Sequence, residues 1–177
     1  MLLAALVLVL PARAQTAPDS LAARPADVAS PEAIVTAAYR SLDRRPGDPF
    51  DWDRFRSLFH PRAMLLPKTE QTGGTPRAFT PGEFAAWIDE RHAEVSPIGG
   101  PKDRGFTEEE LRSELRRFGD VAHVLSTYQK RFWDDERILG RGVNSFQLVY
   151  QDGRWWIVSI AWDEENGAGP LPPDLVE

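Results

Sequence analysis

Four polar residues in the second half of the chain could carry chemistry: Tyr128, Asn144, Ser159 and Asp163. The strand pairing predicted below places them on one face of a sheet, among large apolar side chains. In an apolar cavity, a carboxylate such as Asp163 can have its pKa raised toward neutrality and so transfer protons. A phenol such as Tyr128 can donate a hydrogen bond to an enolate oxygen. These residue types therefore favour proton transfer next to a carbonyl.

The same residues also have a purely structural interpretation. Asp163 would begin a solvated C-terminal tail, and Tyr128 would anchor the core, as most acidic and aromatic residues of sheets do. No pattern in the sequence assigns an acid and a base, so the catalytic residues stay unknown. All four residues are therefore predicted as candidates for ligand binding rather than for catalysis.

The three histidines, at positions 60, 92 and 123, are the residues of this chain most typical of metal ligands. Their separations match no local metal-binding motif, and the chain has no cysteine. We therefore expect no metal site, and no motif predicts a cofactor. His92 lies on a predicted helix, where it could face the mouth of a cavity or the solvent. It is the fifth candidate for ligand binding.

The strongest structural signal is a predicted hairpin at Asp152-Gly153, a dipeptide that favours a two-residue turn. Such a turn sets Gln151 opposite Arg154 and fixes every pair behind them. One face would then carry Asn144, Phe146, Leu148, Tyr150, Trp155, Ile157, Ser159, Ala161 and Asp163. The other face is also apolar. Both faces should therefore be covered, one by helices and the other by a partner subunit.

The segment GVNSFQLVYQDGRWWIVSIAWDEE, with FGDVAHVLSTYQKR upstream, resembles the C-terminal half of a nuclear transport factor 2-like domain of the SnoaL-like branch. The resemblance covers roughly residues 30–165. It implies an α+β fold, a cystatin-like cone whose N-terminal helices pack on a curved antiparallel sheet around a pocket. It also implies a homodimer, formed through the outer sheet face. Members include isomerases, dehydratases, cyclases and non-catalytic binders, so the fold barely constrains the function.

Capping signals predict the helices. Ser30-Pro31 and Asp51 begin the first two, and Thr80-Pro81-Gly82-Glu83 forms a capping box for a third helix from Pro81 to about Val95. A short strand is expected from Ala63 to Leu66. Residues 107–118 carry conflicting signals, because they also fit a capping box and helical spacing. The resemblance implies a long strand there, and tertiary pairing routinely overrides local propensity, so a strand is predicted.

The two ends of the chain differ in composition from its centre. Residues 1–14 combine an apolar run, too short to cross a bilayer, with the small-x-small pattern Ala12-Arg13-Ala14. They are predicted to be a signal peptide, which implies a periplasmic or secreted protein with no membrane association after cleavage. Residues 15–29 are predicted to be a flexible linker, residues 30–165 one domain, and residues 166–177 an extended proline-rich tail.

Charge excludes one class of partner. The formal net charge is -6, with 27 acidic against 21 basic residues and no basic block. Binding to a phosphate backbone requires a clustered positive surface, so no nucleic-acid partner is expected.

Three functions remain compatible with the sequence. The first is binding of a small apolar or aromatic molecule in a cone-shaped pocket, with no assigned reaction, because the polar groups form no recognisable catalytic set. The second is a lyase or isomerase that uses proton transfer next to a carbonyl. The third is a dimeric structural module whose cone is filled by side chains. A cavity large enough for a ligand would exclude the third.

Overall fold

The computed structural model describes residues 21–68, 73, 75–95 and 104–176, apart from the side chains of residues 92–95, 166 and 167. The predicted signal peptide lies outside the described residues. Within the described residues, the α-helices and strands follow one another as α1 (Pro31–Leu42), α2 (Trp52–Ser57), β1 (Phe59–Leu66), α3 (Pro81–Val95), β2 (Thr107–Phe118), β3 (Val121–Arg131), β4 (Ile138–Gln151), β5 (Arg154–Glu164) and α4 (Glu165–Ala168).

The helices begin where the capping residues predict. The Ser30 hydroxyl accepts a hydrogen bond from the backbone N–H of Ala33 at 3.1 Å, ahead of α1. At the start of α3, the Thr80 N–H donates to the Glu83 carboxylate at 2.7 Å, and the Glu83 N–H donates back to the Thr80 hydroxyl at 3.3 Å. This reciprocal capping box satisfies two N–H groups that the helix itself leaves without a partner.

The five strands form one sheet in the order β1-β5-β4-β3-β2. Strands β2 to β5 pair in antiparallel fashion, and β1 joins β5 in parallel at one edge. The predicted α+β cone, with helices packed on a curved and largely antiparallel sheet, is confirmed. Residues 107–118 form a strand, because pairing along β3 outweighs their helical spacing.

Helix α1 packs its apolar side against the inner face of the sheet. The resulting core contains the fully buried Ile34 of α1 and Ile157 of β5, together with Trp155. No helix within the described ranges has both the length and the apolar composition needed to cross a membrane.

The hairpin turn has the geometry that its sequence predicts. Asp152 and Gly153 have φ angles of 52° and 78°, both in the left-handed region that a type I′ turn requires. Behind the turn, Gln151 pairs with Arg154, and the regular alternation continues as far as Ile157.

The predicted register fails one residue later, at Val158. Leu148 pairs with Ile157, but Gln147 pairs with Ser159, so Val158 is an extra residue in β5. A β-bulge of this kind exchanges the two faces for every residue beyond it.

Beyond the bulge, the inner and outer residues of β5 are the reverse of those predicted. Ile160 belongs to the core, and the ring of Trp162 lies 5.6 Å from that of Phe84 in α3. Ser159 and Asp163 lie on the outer face, so their predicted inward position is wrong. The bulge places two large apolar side chains against the helices, where regular alternation would have placed a serine and an alanine.

Parts of the two segments that flank the predicted domain adopt regular structure. Pro25–Val28 forms a 3-10 helix with Val28 buried, and Asp27 accepts two hydrogen bonds of 2.8 Å from Arg54. The C-terminal segment contains α4 and the 3-10 turn Pro173–Leu175 rather than being extended throughout. The backbone N–H of Leu171 donates to Glu165 of α4, and Arg141 of β4 donates to the same carboxylate, which links this segment to the sheet. Charge pairing and burial order these segments despite their composition.

Candidate ligand-binding cavity

A cavity of about 410 Å³ lies between the helices and the inner face of the sheet. Its wall is largely aromatic and aliphatic, and includes Phe50, Phe84, Trp87, Ile88, Phe132 and Trp162. The volume falls within the range of natural small-molecule pockets, which combine apolar walls with a few polar groups.

Helix α3 supplies one side of this wall. Its capping box fixes where the helix begins, and Phe84 and Trp87 then occupy one face of its first two turns, with ring centres 5.8 Å apart. The guanidinium of Arg91, one turn later, lies 5.0 Å from the centre of the Trp87 ring. Arg91 is exposed and also lines the cavity, so it marks the rim.

The polar groups gather at one end of the cavity because of a second bulge, at Leu111 of β2. Arg112 pairs with Thr127, but Glu110 pairs with Tyr128, so Leu111 is the extra residue. Beyond it the faces of β2 are exchanged, as they are in β5 after Val158. Glu108 is thereby turned inward, opposite Lys130 of β3.

Glu164 enters the same end from β5. It is 6% exposed, and its carboxylate accepts hydrogen bonds from the Tyr128 hydroxyl at 3.1 Å and from the ammonium of Lys130. The ammonium of Lys68 lies 3.7 Å from its second oxygen. A buried carboxylate is tolerated when cations and hydrogen bonds compensate its lost hydration, and Glu164 has both.

Glu108 has a different environment. Burial raises its pKa to about 7, because the cavity wall removes water that would solvate the charge. The positive charge of Lys130 and a hydrogen bond from Asn144 lower this pKa, whereas the negative charge of Glu164 raises it. The carboxyl group is therefore divided between its acid and base forms near neutral pH.

A chain of hydrogen bonds holds Asn144 in place. The Asn144 amide donates to the Tyr39 hydroxyl at 3.0 Å, Tyr39 donates to Ser126 at 2.7 Å, and Ser126 donates to Glu110 at 2.6 Å. Burial raises the pKa of Tyr39 and of Tyr128, so both phenols stay protonated as hydrogen-bond donors.

Because Gly142 of β4 has no side chain, the Tyr128 side chain of the neighbouring strand can pack closely against it. A Cβ atom at position 142 would lie 2.3 Å from the carbonyl oxygen of Asp163 and 2.8 Å from the Tyr128 hydroxyl oxygen. Both distances are shorter than atoms tolerate, so only glycine permits this close approach.

The structure brings together two of the five predicted candidates. Tyr128 and Asn144 line the cavity, whereas Ser159 and Asp163 lie on the opposite face of the sheet. The backbone of His92 belongs to α3, but its side chain lies outside the described residues. Binding by any of them stays a prediction.

Three charged residues at the polar end were missed by the sequence-based prediction: Glu108, Lys130 and Glu164. A signal for Glu164 was present, because the large apolar residues of β5 change from odd positions, Trp155 and Ile157, to even positions, Ile160 and Trp162. In the described part of the chain, no three potential metal-ligating side chains come close enough together to hold an ion.

No protein-family model and no curated protein matches the chain. Solved structures share its fold at low identity. A protein of unknown function with a cystatin-like fold from Nostoc punctiforme is 13% identical, and the match covers 75% of this chain and 86% of that one with a TM-score of 0.57.

A nuclear transport factor 2-like protein of unknown function from Pseudomonas putida is 12% identical, over 82% of this chain and 88% of that one, with a TM-score of 0.55. A protein of unknown function from Mycobacterium tuberculosis is 15% identical, over 82% of each chain, with a TM-score of 0.54. These similarities establish a nuclear transport factor 2-like, cystatin-like fold.

Proposed function

We propose that the protein binds a small apolar or aromatic molecule that carries one polar group. The observation that supports this proposal is the cavity of about 410 Å³, with aromatic walls and polar groups gathered at one end. The apolar body of the ligand would lie against Phe84, Trp87 and Trp162, and its polar group would face Glu108 and Asn144. The cavity also argues against a structural module whose cone is filled by side chains.

The experiment measures binding of 2-naphthol, an aromatic probe, by calorimetry and by quenching of tryptophan fluorescence. Two neighbouring residues of β4 provide a matched pair, because Leu139 lines the cavity whereas Ile138 is 48% exposed and does not. Leu139→Trp should fill part of the cavity and weaken binding at least tenfold, and Ile138→Trp should leave it within about twofold of the original protein. Equal binding by both variants would rule out this cavity as the site.

A second candidate function, proton transfer next to a carbonyl, is favoured by Glu108. Its pKa of about 7 suits a general base at neutral pH, and its carboxyl group faces an apolar cavity. The base would be Glu108 instead of Asp163, which lies on the outer face. NMR can follow deuterium exchange next to the carbonyl of 2-tetralone. Catalysis should be lost in Glu108→Gln, and exchange no faster than in buffer would reject this function.

We also propose that two copies associate through the outer face of the sheet and that the protein is exported. Phe118 and Val121 pair on that face and are 86% and 56% exposed, which is unusual for large apolar side chains. Phe118→Glu should shift the sedimentation coefficient from dimer to monomer, whereas a monomeric original protein would reject association. Export is tested by the N-terminal sequence of the protein recovered from the periplasm of a bacterial host, which should begin after residue 14.

A further inference from the structure

Glu108 has hydrogen-bonding capacity that the protein leaves unused. Among the residues that the structure describes, it makes no ion pair, and its carboxyl group accepts a hydrogen bond from Asn144. An ionised carboxylate offers about four lone-pair positions. Because the side chain lines the cavity, the remaining positions can be reached by a ligand. The group that Glu108 can bind is therefore a hydrogen-bond donor.

The charges around Glu108 favour a positively charged donor over a neutral one. Glu164 and Asp43 add negative charge near it, and Lys130 adds positive charge. Lys130 is itself paired with Glu164, as is Lys68 on the far side of that residue. The charges that act on the pKa of Glu108 are thus two carboxylates and one ammonium group. Arg44, which follows Asp43 and is also buried, places its guanidinium over the Phe50 ring of the cavity wall. The neighbouring phenols, Tyr39 and Tyr128, are neutral, and the exposed Arg91 lies at the rim on α3.

The aromatic wall favours the same kind of ligand. Phe106 and Phe132 line the cavity together with Phe50, Trp87 and Trp162. Three of these rings already bind a cation of the protein on one side: Arg44 lies over Phe50, Arg91 over Trp87 and Arg104 over Phe132. The face of an aromatic ring attracts a cation, and the attraction grows when water is excluded. Carboxylate and ring faces together form an environment suited to an ammonium group attached to an apolar body.

We propose that the ligand is an amine, an aromatic or apolar molecule whose protonated nitrogen is bound by the carboxylate of Glu108. This inference rests on the binding function proposed above. The pKa of about 7 adds a pH dependence, because the carboxyl group must be ionised to pair with the ammonium. Affinity for the amine should fall by about tenfold for each pH unit below that pKa.

The test uses three probes of matched shape: 2-phenylethylamine, 2-phenylethanol and 3-phenylpropanoate. At pH 8 the amine should bind at least tenfold more tightly than the alcohol, and the phenylpropanoate should bind most weakly. Between pH 8 and pH 6 the affinity for the amine should fall about tenfold, while that for the alcohol changes little. This pH series needs only the original protein, so it does not depend on any variant folding.

Glu108→Gln should reduce amine affinity at least tenfold more than it reduces alcohol affinity, and an unchanged circular dichroism spectrum would show that the variant is folded. The matched control is Glu109→Gln, because Glu109 is the next residue of β2 and is exposed. Alcohol or phenylpropanoate binding as tight as that of the amine at pH 8 would overturn the amine inference while leaving the binding function standing. Failure of all three probes to bind would overturn both.

Discussion

Two glutamates reach the same end of the cavity from different strands, and their surroundings differ. Glu164 of β5 has its charge compensated by Lys130 and Lys68 and accepts a hydrogen bond from Tyr128. Glu108 of β2 accepts a hydrogen bond from Asn144, and burial raises its pKa to about 7. The difference teaches that burial alone does not identify a functional carboxylate. Glu164 completes the structure, whereas Glu108 retains capacity for a ligand.

The largest expected loss of stability follows from changing the register of β5, which places Glu164 on the inner face of the sheet. Deleting Val158 removes the extra residue but preserves the inner positions of Ile160, Trp162 and Glu164. Deleting Ala161 instead turns Trp162 and Glu164 outward. We expect the Ala161 deletion to lower the free energy of unfolding by at least about 4 kcal/mol more than the Val158 deletion. Urea denaturation measures both, and equal losses would contradict the proposed role of the bulge.

Next in size is the loss of the Glu164 carboxylate. Glu164→Ala leaves the ammonium groups of Lys130 and Lys68 without their shared counter-charge in a buried site. We expect the free energy of unfolding to fall by about 3 to 5 kcal/mol. The control is Glu165→Ala, which removes the ion pair with the half-exposed Arg141 and should cost at most about 1 kcal/mol. Similar losses in the two variants would show that the Glu164 carboxylate stabilises the fold no more than that of Glu165.

Glu108→Gln should change how the free energy of unfolding depends on pH. At low pH, where Glu108 is protonated, the free energy itself should change little. A raised pKa means that the folded protein holds the proton more tightly than the unfolded chain, so stability falls as pH rises between about 4.5 and about 7. The original protein should lose up to about 3 kcal/mol across this interval relative to the variant. Thermal unfolding of both at pH 4.5 and pH 8 measures the difference. Parallel pH profiles would show that the pKa of Glu108 is not raised in the folded protein.

The smallest expected effect is a change in the pKa of Glu108 when Lys130, which contacts Glu164, is replaced. Lys130 lowers the pKa of Glu108 and pairs with Glu164. Lys130→Met should therefore raise the pKa of Glu108 further, by about one pH unit, because a stabilising positive charge is removed. The chemical shift of the Glu108 side-chain carbon, followed by NMR against pH, measures the midpoint. A midpoint that moves downward would show that Lys130 does not act on Glu108.

Much of the fold could be predicted from the sequence, because its signals are local or repeat along a strand. Ser30 and the Thr80–Glu83 box identify helix starts through their own hydrogen bonds. Asp152-Gly153 fixes the turn and the first pairs of the hairpin. These features depend on neighbours within a few residues, so the sequence contains their cause.

The cavity residues could be predicted less completely than the fold. Their positions depend on two bulge residues, which interrupt the alternation of inward- and outward-facing side chains along β5 and β2. Val158 and Leu111 carry no glycine or proline signal and look like ordinary strand residues. The Val158 bulge forms because packing against the helices favours Ile160 and Trp162 over smaller side chains. That preference is tertiary, so strict alternation counted from the turn places Asp163 inside where the structure places Glu164.

Gly142 has a practical consequence for engineering the cavity. The aromatic wall can be varied by directed evolution to suit other guests, since each ring there contributes bulk that another apolar side chain could replace. Position 142 allows no such freedom. Even a single methyl group there would displace the Tyr128 ring, and with it the hydroxyl group at the polar end of the cavity. A mutant library should therefore randomise the wall and keep this residue constant.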